Sequence, residues 1–213
     1  MQIIIALDNM SFDNALESMI LLGPLVDGFK INHTLLEHTS MFKNYEGELM
    51  VDLKLWDTPN TICSVVEKIL KTPATMVTIS TFNNSEVFQC LHQYSEDIKL
   101  IGVTYLTSWS AAEQYQITRE MPYDMWRRHL TRIRKYGFTG IVCSAHDIKD
   151  MKDDSVLRIC PGINFKSSNS GQTRTTSPRI AKDLGADYAV IGRSITQSSD
   201  PEETIMSIKK TLE

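Results

Sequence analysis

Short apolar runs rich in β-branched residues recur along the chain, and between them the apolar positions switch to helical spacing. The runs IIIAL (3–7), DGFKI (27–31), LMVDLK (49–54), TMVTI (75–79), IKLIGVTY (98–105), TGIVC (139–143), VLRIC (156–160) and DYAVI (187–191) predict eight strands. The stretches SFDNALESMILLG, TICSVVEKILK, NSEVFQCLHQYSE, the 110–136 region and SPRIAKDLG predict helices, often with Ser, Asn or Asp near the start and Gly at the end. Such alternation favours a parallel sheet with helical crossovers. Eight repeats in 213 residues sit at the compact limit of a (β/α)8 TIM barrel, read here as a single domain over 1–213, with a doubly wound sheet as the competing α/β arrangement. The sixth unit is the weakest, because HDIKDMK leaves room for barely two turns of helix.

Polar residues gather where those strands end: Asp8, Lys30, Asp52 with Lys54, Ser80, Thr107 with Ser108, Ser144, Pro161-Gly162 and Gly192-Arg193. Barrel enzymes build their sites from the C-terminal ends of several strands, so these residues would converge on one mouth. Capping accounts for Ser80 and Ser144. It does not account for Lys30 and Lys54, since a lysine in an apolar strand requires a partner charge, and Asp8 and Asp52 are the available ones. In VDLKLWDTPNT (51–61), residues two apart in a strand share a face, so Asp52 and Lys54 project together. Asp57 lies just before Pro59, where the chain is leaving the strand, and is expected to point away from its own mouth.

Two further stretches look like ligand equipment. NFKSSNSGQTRTTSP, at about 164–178, is a long Ser/Asn/Gly-rich loop of the kind that stays mobile until a ligand orders it, and it is read as a lid closing over a phosphate. Gly192-Arg193-Ser194 follows the last strand and offers backbone N–H groups beside a guanidinium, a combination suited to a phosphate dianion.

Composition narrows the class. With 42% hydrophobic residues and a net charge of -4, the chain reads as an ordinary soluble globular protein, and no apolar run approaches the ~18 residues of a membrane span. A cytoplasmic location is the default, with no membrane partner. Cys63, Cys90, Cys143 and Cys160 form no C-x-x-C pair, so they are expected to be reduced, buried thiols and not zinc ligands. The acidic balance argues against a nucleic-acid partner, and the basic stretch WRRHLTRIRK (126–135) suits the wet face of an amphipathic helix.

In order along the chain, ALDN, FKI, DLKLWDTPNT, GVTYLTS, GIVCSA, CPGI, GQTR and DYAVIGRSITQSSDP resemble the orotidine 5′-phosphate decarboxylase family. The resemblance implies decarboxylation of orotidine 5′-monophosphate to UMP in pyrimidine biosynthesis, without cofactor or metal, by a homodimer with shared active sites. The family's charged tetrad falls on Lys30, Asp52, Lys54 and Asp57, and Lys30 counts among the substrate contacts as well. Asp8 resembles the ribose contact, and Thr61 the residue that joins Asp57 in the neighbouring subunit's site. Ser108, with Thr107 adjacent, resembles the hydroxyl reading the pyrimidine. Gln172 resembles the glutamine bridging base and phosphate, and Gly192 with Arg193 the phosphate grip. Two positions depart from the family pattern: Asn32, and Ser80 followed by TFNN.

The chemistry agrees with a charged site. Losing CO2 from carbon 6 of the pyrimidine leaves a carbanion that the ring carbonyls do not delocalise directly, and the chain offers no PLP or thiamine apparatus, so stabilisation falls to fixed charges, with Lys54 as proton donor. Two alternatives stay open. One is an Mg2+-dependent sugar-phosphate decarboxylase or aldolase of the same superfamily, which typically has an acidic metal ligand where Lys30 stands. The other is a catalytically silent barrel that binds a phosphate ligand, against which the intact tetrad argues.

Overall fold

The computed structural model describes residues 1–148, 155–165 and 176–213. Eight parallel strands close in chain order: β1 (Gln2–Ala6), β2 (Gly28–Ile31), β3 (Glu48–Leu55), β4 (Met76–Ser80), β5 (Lys99–Val103), β6 (Gly140–Val142), β7 (Leu157–Cys160) and β8 (Tyr188–Ile191), with β8 pairing back onto β1. Closure decides against the doubly wound sheet, which would leave two strand edges unpaired. Every predicted run is a strand, its ends displaced by at most two residues.

Side-chain alternation divides the strand residues into two layers. Ile3, Ile5, Phe29, Ile31, Val51 and Val77 pack outward beneath the helices. Ile4, Met50, Met76, Ile101, Ile159 and Val190 fill the interior. Both strand faces are therefore apolar, and at roughly 1.5–3 kcal/mol per fully buried large side chain the two layers dominate the stabilisation. The inward set continues up the barrel as Ala6 then Asp8, Gly28 then Lys30, and Met50 then Asp52. The alternation that buries Met50 thus delivers Asp52 to the mouth.

The crossovers carry α1 (Phe12–Leu22), α2 (Pro59–Ile69), α3 (Ser85–His92), α4 (Ala111–Thr118), α5 (Pro122–Lys135), α6 (Ala145–Ile148) and α7 (Pro178–Asp183), and α8 (Arg193–Thr196) and α9 (Pro201–Leu212) follow β8. Ser11, Asn84, Ser110, Ser177 and Asp200 each accept a backbone N–H in the first turn of the helix that follows. Ser80 does not cap; it accepts from the Phe82 N–H at 3.3 Å, and Asn84 caps α3 instead. Between β2 and β3 the chain runs through 3-10 turns over His33–Phe42. The periodicity reading singled out neither that segment nor α9, whose Ile205 and Ile208 are fully buried. Arg127, Arg128, Arg134 and Lys135 on α5 are exposed, as the wet-face reading expects, while Arg132 lays its guanidinium 4.3 Å over the Phe88 ring.

Cys63 on α2 and Cys90 on α3 are joined as a disulfide, which corrects the expectation of four reduced thiols. They stand 27 residues apart in the chain, but adjacent helices bring their Cα atoms to 6.6 Å, a proximity that sequence spacing does not reveal. Cys143 and Cys160 are free thiols, buried with their sulfurs 3.7 Å apart. Among the described residues no helix is long and apolar enough to cross a membrane.

At the N-terminal ends of the strands Glu48 closes the barrel floor. It accepts from the Thr75 hydroxyl at 2.5 Å and the Tyr188 hydroxyl at 3.4 Å, and pairs with Lys99. Burial, then Glu48, pushes the Tyr188 phenol up to about 12. A cavity of about 1190 Å³ opens at this end beside Asp27, Glu46 and Glu96, opposite the strand ends where barrel enzymes carry their chemistry.

His129 on α5 is buried. Burial, then Arg128 and Arg132, pulls its imidazole down to about 4 against the smaller upward pull of the Thr81 backbone, so above that pH it is neutral in the fold. An unfolded histidine takes its proton near pH ~6.5, so between those values the unfolded chain binds the extra proton and stability falls as pH falls. Urea unfolding should show a loss of ~1.4 kcal/mol per pH unit over this window, and His129→Leu should flatten that slope. An unchanged slope in the variant would assign the acid sensitivity to other groups.

Candidate active site

Three strand ends and the turns that follow them assemble the charged wall of the mouth. After β1 the Leu7 N–H bonds to the Lys30 carbonyl at 2.9 Å, Asp8 follows, and Asn9 takes a left-handed φ of 60° that turns the chain toward α1. Asn tolerates that conformation because its short side chain bonds locally. Lys30 Nζ lies 2.6 Å from both carboxylate oxygens of Asp8 and 3.1 Å from Asp52 Oδ2. Lys54 Nζ donates to Asp52 Oδ1 at 2.9 Å. The order Asp8, Lys30, Asp52, Lys54 is a continuous chain of alternating sign.

Exposure is graded along it. The Lys30 and Asp52 side chains are 9% and 11% exposed, whereas Asp8 and Lys54 at the ends are 37% and 41% exposed. Burial pulls the Lys30 ammonium down, but the charges of Asp52 and Asp8 and their hydrogen bonds outweigh it and leave its pKa raised. For Asp52, burial pushes up while Lys30 and Lys54, with hydrogen bonds from Lys54 and Thr78, pull further down, so its carboxyl stays ionised below its ordinary range. Each of these two central charges is kept by its neighbours.

β3 reaches this arrangement through an irregularity. Its register with β4 shifts between Val51 and Leu55, and Lys54 adopts a φ of 50°. The Lys54 N–H donates to Thr78 Oγ1 at 2.8 Å, and that hydroxyl donates to Asp52 Oδ1 at 2.9 Å. Beyond the strand, Asn83 donates from Nδ2 to the Leu55 and Ser80 carbonyls, both at 2.8 Å, and accepts the Asp57 N–H at 3.3 Å. This clasp sets the direction in which Asp57 departs.

The charged wall lines a cavity of about 840 Å³ at the C-terminal mouth, with Thr107 and Ser108, Pro161-Gly162 and Gly192-Arg193 contributing the remaining sides. Both residues that could read a pyrimidine, Thr107 and Ser108, therefore line it. Asp57 and Thr61 do not line it; both are exposed outside their own mouth. Hydrogen bonds from the Thr58 backbone, then from the Thr61 and Thr58 hydroxyls, hold the Asp57 carboxyl below its ordinary value. Ser80 and Ser144 are also outside the cavity lining. Gln172 and most of the 164–178 loop lie outside the described residues. The two ends of that loop are joined, Asn164 N–H to the Thr176 carbonyl at 2.9 Å and Thr176 N–H to the Gly162 carbonyl at 3.1 Å. Ser194 at the start of α8 donates to Asn164 Oδ1 at 3.2 Å, tying this root to the Gly192-Arg193 turn.

Sequence reasoning passed over Thr78, Asn83 and Tyr105. The Tyr105 hydroxyl accepts from Trp126 Nε1 at 2.8 Å and donates to Asp147 Oδ2 at 2.9 Å, just ahead of the turn that carries Thr107 and Ser108. No local signal marks these residues. A threonine in MVTIS is what strand propensity favours anyway, and an asparagine in TFNN reads as a turn residue.

A closed parallel barrel with a charged, polar cavity at the C-terminal strand ends defines a (β/α)8 protein whose site sits where barrel enzymes place theirs. The chain belongs to the Orotidine 5'-phosphate decarboxylase / HUMPS family, whose model matches residues 1–208. It is 32% identical, over an alignment of 233 residues covering 99% of this chain and 95% of the relative, to the orotidine 5'-phosphate decarboxylase of Dictyoglomus thermophilum. It is 36% identical over 167 residues to that of Ehrlichia chaffeensis, covering 75% of this chain and 72% of that one. The crystal structure of orotidine 5'-phosphate decarboxylase from Lactobacillus acidophilus superposes with a TM-score of 0.79 over 99% of this chain and 98% of that one; at 24% identity this likeness concerns the fold.

Truncating Lys30 would strand the buried Asp52 carboxylate on one side. Lys30→Ala should lower the unfolding free energy by about 3–5 kcal/mol, the usual cost of breaking a buried pair, and adding Asp52→Asn should return part of it. Equilibrium urea unfolding of the single and double variants measures both effects. A double variant no more stable than the single one would mean that Lys30 contributes packing and not charge balance.

Proposed function

We propose that this protein is a cofactor-independent orotidine 5′-monophosphate decarboxylase, a carboxy-lyase that forms UMP in pyrimidine biosynthesis, working in the cytoplasm as a homodimer of single-domain barrels. The observation that carries the reading is the alternating chain Asp8, Lys30, Asp52, Lys54 on one wall of the mouth cavity. Membership of the family and the names of the relatives support it.

In this reading the substrate carboxylate leaves as CO2 and the electron pair of the broken bond stays on carbon 6. Lys54 stabilises that pair as an ammonium and then gives up an N–H proton as the C–H bond forms; the neutral amine regains its proton from solvent. Asp52 keeps Lys54 aimed through its hydrogen bond, and Lys30 keeps Asp52 from standing as a lone buried charge. Asp8 contacts the ribose, Lys30 is a further substrate contact, Ser108 reads the pyrimidine, Gly192 and Arg193 hold the phosphate, and Gln172 bridges base and phosphate. The phosphate, remote from the reacting bond, contributes binding energy expressed in the transition state. Lys30 Nζ stands between the Asp8 and Asp52 carboxylates, filling the space a divalent cation would need in the sugar-phosphate alternative.

Asp57 and Thr61 are assigned to the partner's site. Their exposure outside their own cavity supports this, as does Trp56 beside them, a large apolar ring left 73% exposed in the single chain.

Loss of orotidine monophosphate absorbance, with and without EDTA, tests the chemistry. Turnover should be undiminished by the chelator; a strict Mg2+ requirement would favour the sugar-phosphate reading, and no turnover at all the silent barrel. Shared sites are tested by mixing Lys54→Ala with Asp57→Ala, each expected to be nearly inactive alone. Random subunit exchange makes half the dimers mixed, each with one intact site of two, so about a quarter of wild-type activity per total dimer should return. A mixture as inactive as its parents, despite demonstrated exchange, would place Asp57 in its own barrel.

A further inference from the structure

The Lys54 backbone is held in a conformation that residues bearing a Cβ seldom adopt, at φ 50° and inside the register shift of β3. A left-handed lysine at the reacting end of the charge chain needs something to keep it there. Thr78 is the group in contact. By strand alternation it follows Met76 on the inward face of β4, it is fully buried, and it is not among the residues that line the mouth cavity. Its hydroxyl accepts the Lys54 N–H at 2.8 Å and donates its single proton to Asp52 Oδ1 at 2.9 Å, the oxygen that also receives Lys54 Nζ at 2.9 Å. Backbone N–H, hydroxyl, carboxylate and ammonium thereby close a ring that begins and ends on Lys54.

We propose that Thr78 is a positioning residue for the reaction: its hydroxyl holds Lys54 in the left-handed turn and fixes the rotation of the Asp52 carboxylate, so that Nζ is aimed at the carbon to be protonated. A hydroxyl is suited to this because it accepts and donates at once. A methyl in its place would leave the Lys54 N–H without its acceptor and remove one of the bonds that orient Oδ1. Oδ2 would still face Lys30, but Oδ1 would be directed by Lys54 Nζ alone, whose own backbone had lost its tether. This inference deepens the proposed function and rests on the reading of Lys54 as proton donor.

Thr78→Val keeps the shape and removes the hydroxyl, while Thr78→Ser keeps the hydroxyl. With orotidine monophosphate as substrate, Thr78→Val should lower kcat by about 10–100-fold, the scale of a small misplacement of a reacting group, while KM stays within about threefold. Thr78→Ser should recover kcat to within about threefold of wild type. If Thr78→Val does not fold, Thr78→Ala against Thr78→Ser gives the same comparison, since both lack the methyl and only the serine retains the oxygen. A crystal structure of the hydroxyl-free variant provides a readout independent of turnover: Lys54 should leave the left-handed region and Nζ should part from Asp52 Oδ1. Retained kcat without the hydroxyl, or an unchanged Lys54 conformation, overturns the proposal. Absence of decarboxylation in the wild type would instead remove the functional reading, and the crystal structure alone would then decide whether Thr78 holds Lys54.

Discussion

Asp52 carries two lysines on two oxygens, and the mouth of the barrel is organised by that division. Oδ2 faces Lys30, which is itself shared with Asp8, while Oδ1 receives both the Lys54 ammonium and the Thr78 hydroxyl. On a protein surface such pairs would contribute little, because water screens them. Here the two central groups are buried over an apolar interior of Met50, Met76 and Ile159, so each charge depends on its neighbours to remain charged. Burial and attraction act in opposition on both Lys30 and Asp52, and attraction prevails. The result is a chain constrained at its centre and open to the cavity at Asp8 and Lys54.

The fold supplies that constraint by simple geometry. Two-residue alternation places Lys30 and Asp52 directly above the apolar interior of the barrel, because Gly28 and Met50 lie on the same faces below them. Regular alternation stops at Asp52. The shift of β3 against β4 lets Lys54 turn back toward the same wall, and the Asn83 clasp then directs the chain outward before Asp57. One strand end therefore feeds its own cavity with two charges and presents a third to the outside. At the opposite end of the barrel Glu48, Lys99, Thr75 and Tyr188 form a separate polar floor, and the apolar interior of Ile4, Met50, Met76 and Ile159 lies between it and the charged mouth.

The charged wall was legible in the sequence because its signals are local. Lysines inside apolar strands have few explanations, and the acidic partners lay at neighbouring strand ends at the same height. Asp57 was legible for a related reason, since a carboxylate two residues before a proline is leaving its strand. Thr78, Asn83 and the Tyr105–Asp147–Trp126 hydrogen bonds were not legible. Each bonds to a residue 21 to 42 positions or so away, and each is also an ordinary occupant of a strand, turn or core. The Cys63–Cys90 disulfide escaped for the same cause, as helix packing and not spacing brings the two residues together.

By itself the sequence determined eight strands, their inward and outward faces, and the charges at their ends, because periodicity and the cost of burying an unpaired ion act over a few residues. Only the tertiary structure decided that the sheet closes, that Lys54 is left-handed, and that one threonine hydroxyl serves both it and Asp52. Those outcomes depend on the register between strands distant in sequence, where a shift of one residue would turn Thr78 from the interior to the helix layer and leave Lys54 without its acceptor.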